Sequence, residues 1–231
     1  MIVVVGAPGI RLDEETGRGV PAGLAARIAL AAAGAGAGVQ LAGKVGDDPA
    51  GDEVLLGLAR AGVRHDAMLR DPDRATPLAV IVPSDPFTVE PAVLEARGMP
   101  VQLDRAPAST SPAGAAPTPA LDADDLALCL SYLRDFSVIV VAEPLDPPGM
   151  AAAGAAAAFA GADLVVIASA DGAELEAPPG ATVLEAPDDD PDDEFARLVA
   201  RFAVSLELGV APADAFTLAL SGAGWEQVAG S

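Results

Sequence analysis

The sequence predicts an α/β protein in three layers, with helices on both faces of a mostly parallel sheet. Three observations point there. Ile2–Val5, Val138–Val141 and Leu164–Ile167 are unbroken apolar runs rich in Val and Ile, without the polar alternation of a strand that has one wet face. Ala-rich segments of helical length, Ala22–Ala33 and Pro148–Ala160, lie between such runs. No repeat at a fixed period is visible, so a solenoid is not indicated.

Taken in order, Ile2–Val5 is a buried strand that ends at Gly6. Arg11–Gly19 is polar and reads as a loop or a pair of short edge strands. The helix Ala22–Ala33 is stopped by Gly34-Ala35-Gly36-Ala37-Gly38, and Val39–Ala42 is a short strand. Pro49 suits the first turn of a helix that runs to about Ala61, with Leu55, Leu56, Leu58 and Ala59 on its inner face. Leu78–Val82 is a strand, and Thr88–Glu95 is a strand or the start of a helix. Residues 104–120 are Pro, Ala, Ser and Thr with almost no bulky apolar side chain, and read as a flexible loop. Asp122–Leu133 is a helix with an acid at its positive end. Thr182–Leu184 is a short strand, and Phe195–Leu208 and Ala213–Leu220 are the last two helices, with Trp225 expected to pack the final one. One domain over residues 1–231 accommodates all of this.

Composition excludes several functions. A net charge of −21 with a single lysine, Lys44, leaves no basic patch for nucleic acid or an anionic membrane. One cysteine, Cys129, rules out an internal disulfide and reads as a small buried apolar residue. One histidine, His65, is expected at the surface, and with one Cys it cannot build a Cys/His metal site. The N-terminus has no basic stretch before its apolar run, and no apolar run reaches ~20 residues, so a cytoplasmic protein is expected.

The segment Gly43-Lys44-Val45-Gly46-Asp47-Asp48-Pro49-Ala50-Gly51-Asp52, followed by a helix and Ala61-Gly62-Val63, resembles the G-x-V-G-x-D-x-x-G signature of the ribokinase-like (PfkB-type) carbohydrate kinases. Gly19–Ala37 is similar to that family's Gly-Gly and Ala-rich first signature, and Arg74-Ala75-Thr76 to its small-residue-plus-Thr step. Leu198–Gly209 and Ala213–Leu220 resemble its two C-terminal helices. The resemblance implies a three-layer α/β/α sandwich, a small β lid over the substrate, and ATP-dependent, Mg²⁺-assisted phosphorylation of a sugar or nucleoside hydroxyl. It also implies a homodimer, because the lid often mediates one. From the residues themselves, Gly43 and Gly46 flank a strand end and allow a turn, and Asp47 and Asp48 suit capping of the Pro49 helix.

The family's Gly-Ala-Gly-Asp loop, carried over by resemblance, falls on Asp190, Pro191, Asp192 and Asp193. Asp193 is then the general base, and Asp190 and Asp192 stand where glycine N–H groups would hold ATP phosphates. Pro191 removes a donor, and two like charges ~4 Å apart repel by ~4 kcal/mol at an effective dielectric of about 20. The nucleotide-side glycine motif falls on Ile167–Gly172 and leaves Ser169 and Gly172 as nucleotide-binding candidates. On the substrate side Arg27 replaces the signature Asn, Gly23 keeps the second glycine of the pair, and Asp13 stands in for an early Asp shifted from Arg11. The family's Mg²⁺-organising Asn-x-x-Glu segment has no counterpart, as if a strand–helix unit were missing. Such a loss would expose a sheet edge, a second reason to expect a homodimer.

Three functions therefore stand: a ribokinase-like protein that binds without efficient phosphoryl transfer, an active kinase that uses Asp193, and a nucleotide-cofactor protein resting only on Gly6 and Gly9. Ala213-Asp214-Ala215-Phe216 imitates the catalytic loop but belongs with the last helix.

Overall fold

The computed structural model describes residues 1–12, 18–80, 101–103, 118–169, 176–187, 190 and 192–221. The expectations for Asp13, Gly172, Pro191, Thr88–Glu95, Trp225 and most of the 104–120 loop lie outside these residues.

The strands are β1 (Ile2–Val5), β2 (Gly9–Leu12), β3 (Gly19–Ala22), β4 (Val39–Gly46), β5 (Arg64–Asp71), β6 (Leu78–Val80), β7 (Val101–Leu103), β8 (Val138–Val141), β9 (Asp163–Ala168) and β10 (Thr182–Glu185). The helices are α1 (Leu24–Gly34), α2 (Pro49–Arg60), α3 (Ala123–Tyr132), α4 (Pro147–Ala160), α5 (Glu194–Glu207) and α6 (Pro212–Ser221). A six-stranded sheet runs β10-β9-β8-β1-β4-β5, and each of its neighbouring pairs is parallel. A second sheet, β3-β2-β6-β7, is the small lid. The three-layer α/β architecture expected from the sequence is the one observed.

Residue alternation explains the layers. Ile2 and Val4 of β1 face one side, where they pack with Ile28, Ala29 and Ala32 of α1 and Val199, Phe202 and Ala203 of α5. Val3 and Val5 face the other side, against Leu126, Cys129 and Leu130 of α3 and Met150, Ala153 and Ala157 of α4. Both faces of the central strands are buried, which is why their sequences show no alternation. Phe202 meets Phe216 of α6 edge to face, with ring centroids 6.1 Å apart. Buried Cys129 fits its assignment; desolvation first, and nearby Asp125 second, push its thiol up to about 11. Among the described residues no helix is long and apolar enough to cross a membrane.

The structure corrects several local expectations. Gly43 makes no turn, because β4 runs through it and ends only at Gly46, and a register shift against β5 falls earlier, between Gln40 and Ala42. The smallness of both glycines has a packing cause. A Cβ on Gly43 would lie 2.3 Å from the Gly6 carbonyl oxygen, and one on Gly46 would lie 2.5 Å from Asp48 Oδ2 and 2.6 Å from Arg74 O. The inner face of α2 is Gly51, Val54 and Leu58, one helical stripe, while Leu56 is 43% exposed and Ala59 is exposed. The first long helix starts at Leu24 rather than Ala22, because Ala22 ends β3. β5 escapes the sequence reading because it is an edge strand whose charged residues face water. His65 lies in this strand; it is half-buried rather than exposed, and its Nδ1 is enclosed.

One knot ties lid to body. Asp48 Oδ1 accepts from Gly51 N at 2.7 Å and caps α2, and its Oδ2 accepts from Thr76 N at 2.8 Å. Thr76 Oγ1 accepts from Gly46 N at 2.9 Å. Asp47 takes no part in the cap and pairs with Arg70 at 3.3 Å. Thr76 is the last residue but one before β6, so the chain enters the lid from a fixed point.

Gly43→Ala is expected to cost about 2–3 kcal/mol, because the new methyl group meets backbone that cannot rotate away. Urea unfolding measures it; a loss under 0.5 kcal/mol would mean that β1 and β4 can part freely.

Candidate functional site

In an open parallel sheet, ligands gather beyond the carboxyl ends of the strands where chain order reverses. That point here lies between β1 and β8, since the chain proceeds from β1 to β4 and β5 on one side, then returns to β8, β9 and β10 on the other. Gly6 follows β1 and Glu143 follows β8, so both stand at this reversal. Ala7 N donates to Glu143 Oε2 at 3.2 Å. A Cβ on Gly6 would lie 2.8 Å from Ala25 Cβ and 3.4 Å from the Glu143 carboxyl carbon. The start of α1, the end of β1 and Glu143 therefore converge on one spot. Gly23, just before α1, has φ 88, and its Cβ position lies 3.2 Å from Ala7 O. A side chain there would be strained and would crowd the same backbone.

Glu143 was not among the residues singled out from sequence. Its signal was present: a lone acid directly after the apolar run Val138–Ala142 and before Pro144. Desolvation raises its carboxyl from the usual value near 4.5 to about 7, against the opposing pull of the Ala7 N–H.

The second half of the site is the N-terminus of α5. Asp193 is its N-cap, held in the left-handed region at φ 56, ψ 24, and its carboxylate makes no capping bond. That carboxylate accepts from Arg27 Nη1 at 2.9 Å. The first-turn N–H groups are taken by Asp190 instead: Phe195 N donates to Oδ1 at 2.9 Å and Ala196 N to Oδ2 at 3.2 Å. Arg27 Nη1 also reaches Asp190 Oδ2 at 3.3 Å and Asp190 O at 2.9 Å. The Asp190 side chain is 9% exposed, that of Arg27 30% and that of Asp193 45%.

Three residues expected to touch separate ligands are thus brought into one ion cluster: Arg27 from the substrate set, Asp190 from the nucleotide set, and Asp193, the base position. Asp192 is exposed and stands apart from it. Ser169 is exposed just beyond β9, at the same end of the sheet. Among the described residues no helix lies between β9 and β10 and no strand between β10 and α5. Among the same residues no group of three His, Cys, Asp or Glu could hold a metal ion. A cleft of about 500 Å³ on the α2 side of the lid, lined by Ile10, Leu12, Pro49 and Glu53 among others, involves none of the site residues.

A sheet with its reversal at a central strand, helices on both faces and a separate small β-sheet make up a ribokinase-like α/β fold. The family's sequence pattern accompanies the fold: residues 7–88 match the model for the pfkB family of carbohydrate kinases. That span holds Gly19–Ala37, Gly43–Asp52 and Arg74–Thr76, the segments that carry the resemblance. Aminoimidazole riboside kinase from Salmonella enterica superposes with a TM-score of 0.60 at 14% identity, over 96% of this chain and 90% of that one. Arabidopsis thaliana ribokinase complexed with ribose and ATP gives 0.59 at 14% identity, again over 96% and 90%. A phosphofructokinase-type structure from Staphylococcus aureus gives 0.59 at 12% identity over the same shares. These likenesses are likenesses of fold. No curated protein matches the chain.

The raised carboxyl of Glu143 has a consequence for stability. Its folded pKa exceeds its unfolded one, so its contribution is most favourable below about 4.5 and is lost as pH rises through about 7. Glu143→Gln is therefore expected to gain on wild type between those pH values, by up to about 3 kcal/mol, and to hold that gain above pH ~8. Denaturant unfolding of both proteins across this range measures it. A difference independent of pH would mean that Glu143 ionises as freely as in the unfolded chain.

Proposed function

We propose that this chain is a ribokinase-like protein that binds a sugar- or nucleoside-like ligand between lid and sheet without efficient phosphoryl transfer. The observation that carries this reading is the Asp190 carboxylate on the first-turn N–H groups of α5, paired with Arg27. In phosphoryl transfer the protein supplies position and positive potential to the moving group. Here the donors that would supply potential are already bonded to an internal carboxylate. The residues present do not fit nucleotide phosphates: a phosphate at this end of α5 would meet Asp190 and Asp193, two negative charges against one guanidinium. Nor is Asp193 a free base, since its carboxylate is already bonded to Arg27 Nη1 at 2.9 Å.

The ligand end is better kept. Gly6 and Gly23 let the end of β1 and the start of α1 come close beside Glu143, and among the described residues its carboxyl group takes one hydrogen bond, from Ala7 N. Such a group suits the hydroxyls of a polyol. Nucleic acid is disfavoured by a net charge of −21. The second reading, an ATP-dependent sugar or nucleoside kinase with Asp193 as general base, is supported by the presence and 45% exposure of that side chain.

Two titrations on the purified protein separate the readings. Mg²⁺-ATP is expected to bind no tighter than about 1 mM, with no turnover in the presence of ribose, fructose or adenosine. Whichever of these three binds is expected to bind at least about tenfold more weakly to Glu143→Ala. Micromolar ATP affinity that disappears in Asp193→Ala would establish the kinase reading instead.

A further inference from the structure

The two edges of the main sheet, β5 and β10, are built differently. On β5, Arg64, Asp66 and Arg70 face water, and such charges guard a free edge against pairing. β10 has no lysine, arginine, proline or bulge, and its one charge, Glu185, comes last. Among the described residues nothing pairs with its outer side. Ala186 N donates inward to Ala168 O at 2.9 Å, so by alternation the N–H and C=O groups of Val183 and Glu185 point outward. Val183 stands beside Val166 in the ladder and shares its face, the α4 side. α4 packs over β8 and β9, and Val183 stays 46% exposed.

We infer that two copies of this chain join through β10, antiparallel about a two-fold axis at Val183, so that one sheet runs through both. The occupant is a second copy because the strand is complementary to itself. An axis perpendicular to the sheet keeps each residue on its own face, so only residues of like parity stand opposite each other. Pairing about Val183 sets it against the second copy's Val183, and the two exchange both backbone hydrogen bonds. Thr182 then stands opposite Leu184, and Glu185 opposite Ala181. Ala181 N is taken by Pro178 O at 3.1 Å, which leaves its carbonyl to accept from Glu185 N. The two Glu185 residues end up roughly 14 Å apart at ~3.3 Å per residue and ~4.8 Å between strands. Pairing about Leu184 instead would set Val183 against Glu185 and bring the two carboxylates to roughly 8 Å. A strand of four residues buries less than the ~800 Å² per partner of a standard stable interface, so the dimer is weak and reversible. A net charge of −21 on each copy opposes it further, and salt relieves that repulsion. This interface is the sheet edge and not the lid.

The test is analytical ultracentrifugation of the full chain in low and in high sodium chloride. Wild type is expected to dimerise reversibly with a Kd of roughly 10–100 µM, and at least about threefold more tightly in high salt. Val183→Lys sets two ammonium groups face to face at the axis and is expected to weaken the dimer at least about tenfold. A short bismaleimide reads the position separately: Val183→Cys is expected to give a covalent dimer, and Leu12→Cys, exposed on the lid, is not. Wild type, whose Cys129 is buried, is the blank. Crosslinking carries the test if the lysine variant does not fold. The inference is overturned if wild type stays monomeric in high salt, if folded Val183→Lys dimerises as wild type does, or if Leu12→Cys crosslinks in place of Val183→Cys. None of these outcomes bears on the functional reading, which ligand binding and turnover decide.

Discussion

One guanidinium organises the site. Arg27 sits in the second turn of α1, and its Nη1 is shared among the Asp190 carbonyl, the Asp190 carboxylate and the Asp193 carboxylate. Through it α1 is fastened to the entry of α5, and the two helices pack side by side over β1. The carboxylate of Asp190, so fixed, satisfies N–H groups that a helix start otherwise leaves to water or a ligand. A partly exposed ion pair is worth little by Coulomb attraction alone. What gives this one weight is that the anion is nearly buried and bonded to backbone as well, so removing either partner leaves a group without its match.

The opposite half of the site depends on an absence of atoms. β4 extends past the end of β1, and its Gly43 lies against the Gly6 carbonyl. This close approach lets the chain leave β1, turn beside Glu143 and enter the lid at Gly9. The Asp48–Thr76 knot fixes the lid's second entry. The lid is thus anchored by backbone contact and by one bifurcated carboxylate, both built from the segment that carries the family pattern. Fold and family signature coincide because the signature residues are the ones that hold lid to sheet.

The sequence made the three-layer fold legible through its central strands. Val138–Val141 was placed to the residue, because a strand buried on both faces has no polar position to blur its ends. Helix starts were legible where chemistry marks them, as at Asp122 and Pro49. Edge strand β5 was not, because Arg64, Asp66 and Arg70 face water and its pattern reads as surface. Gly43 was noticed but given the wrong reason: a glycine that makes room for another strand looks the same in sequence as one that turns. For the site, Arg27, Asp190 and Asp193 were each found by resemblance, yet their mutual contact could not be seen, since 163 residues separate Arg27 from Asp190. Glu143 was overlooked because its meaning comes from the order of strands in the sheet, which a linear reading does not contain.

The account stands on the contact between Arg27 and Asp190, and a double-mutant cycle in denaturant unfolding measures it directly. Arg27→Met, Asp190→Ala and the double variant are compared with wild type at neutral pH. If the carboxylate is held as described, the two losses do not add, and the coupling is about 1 kcal/mol or more. Losses that add to within about 0.5 kcal/mol would show the two side chains acting independently and would contradict the account.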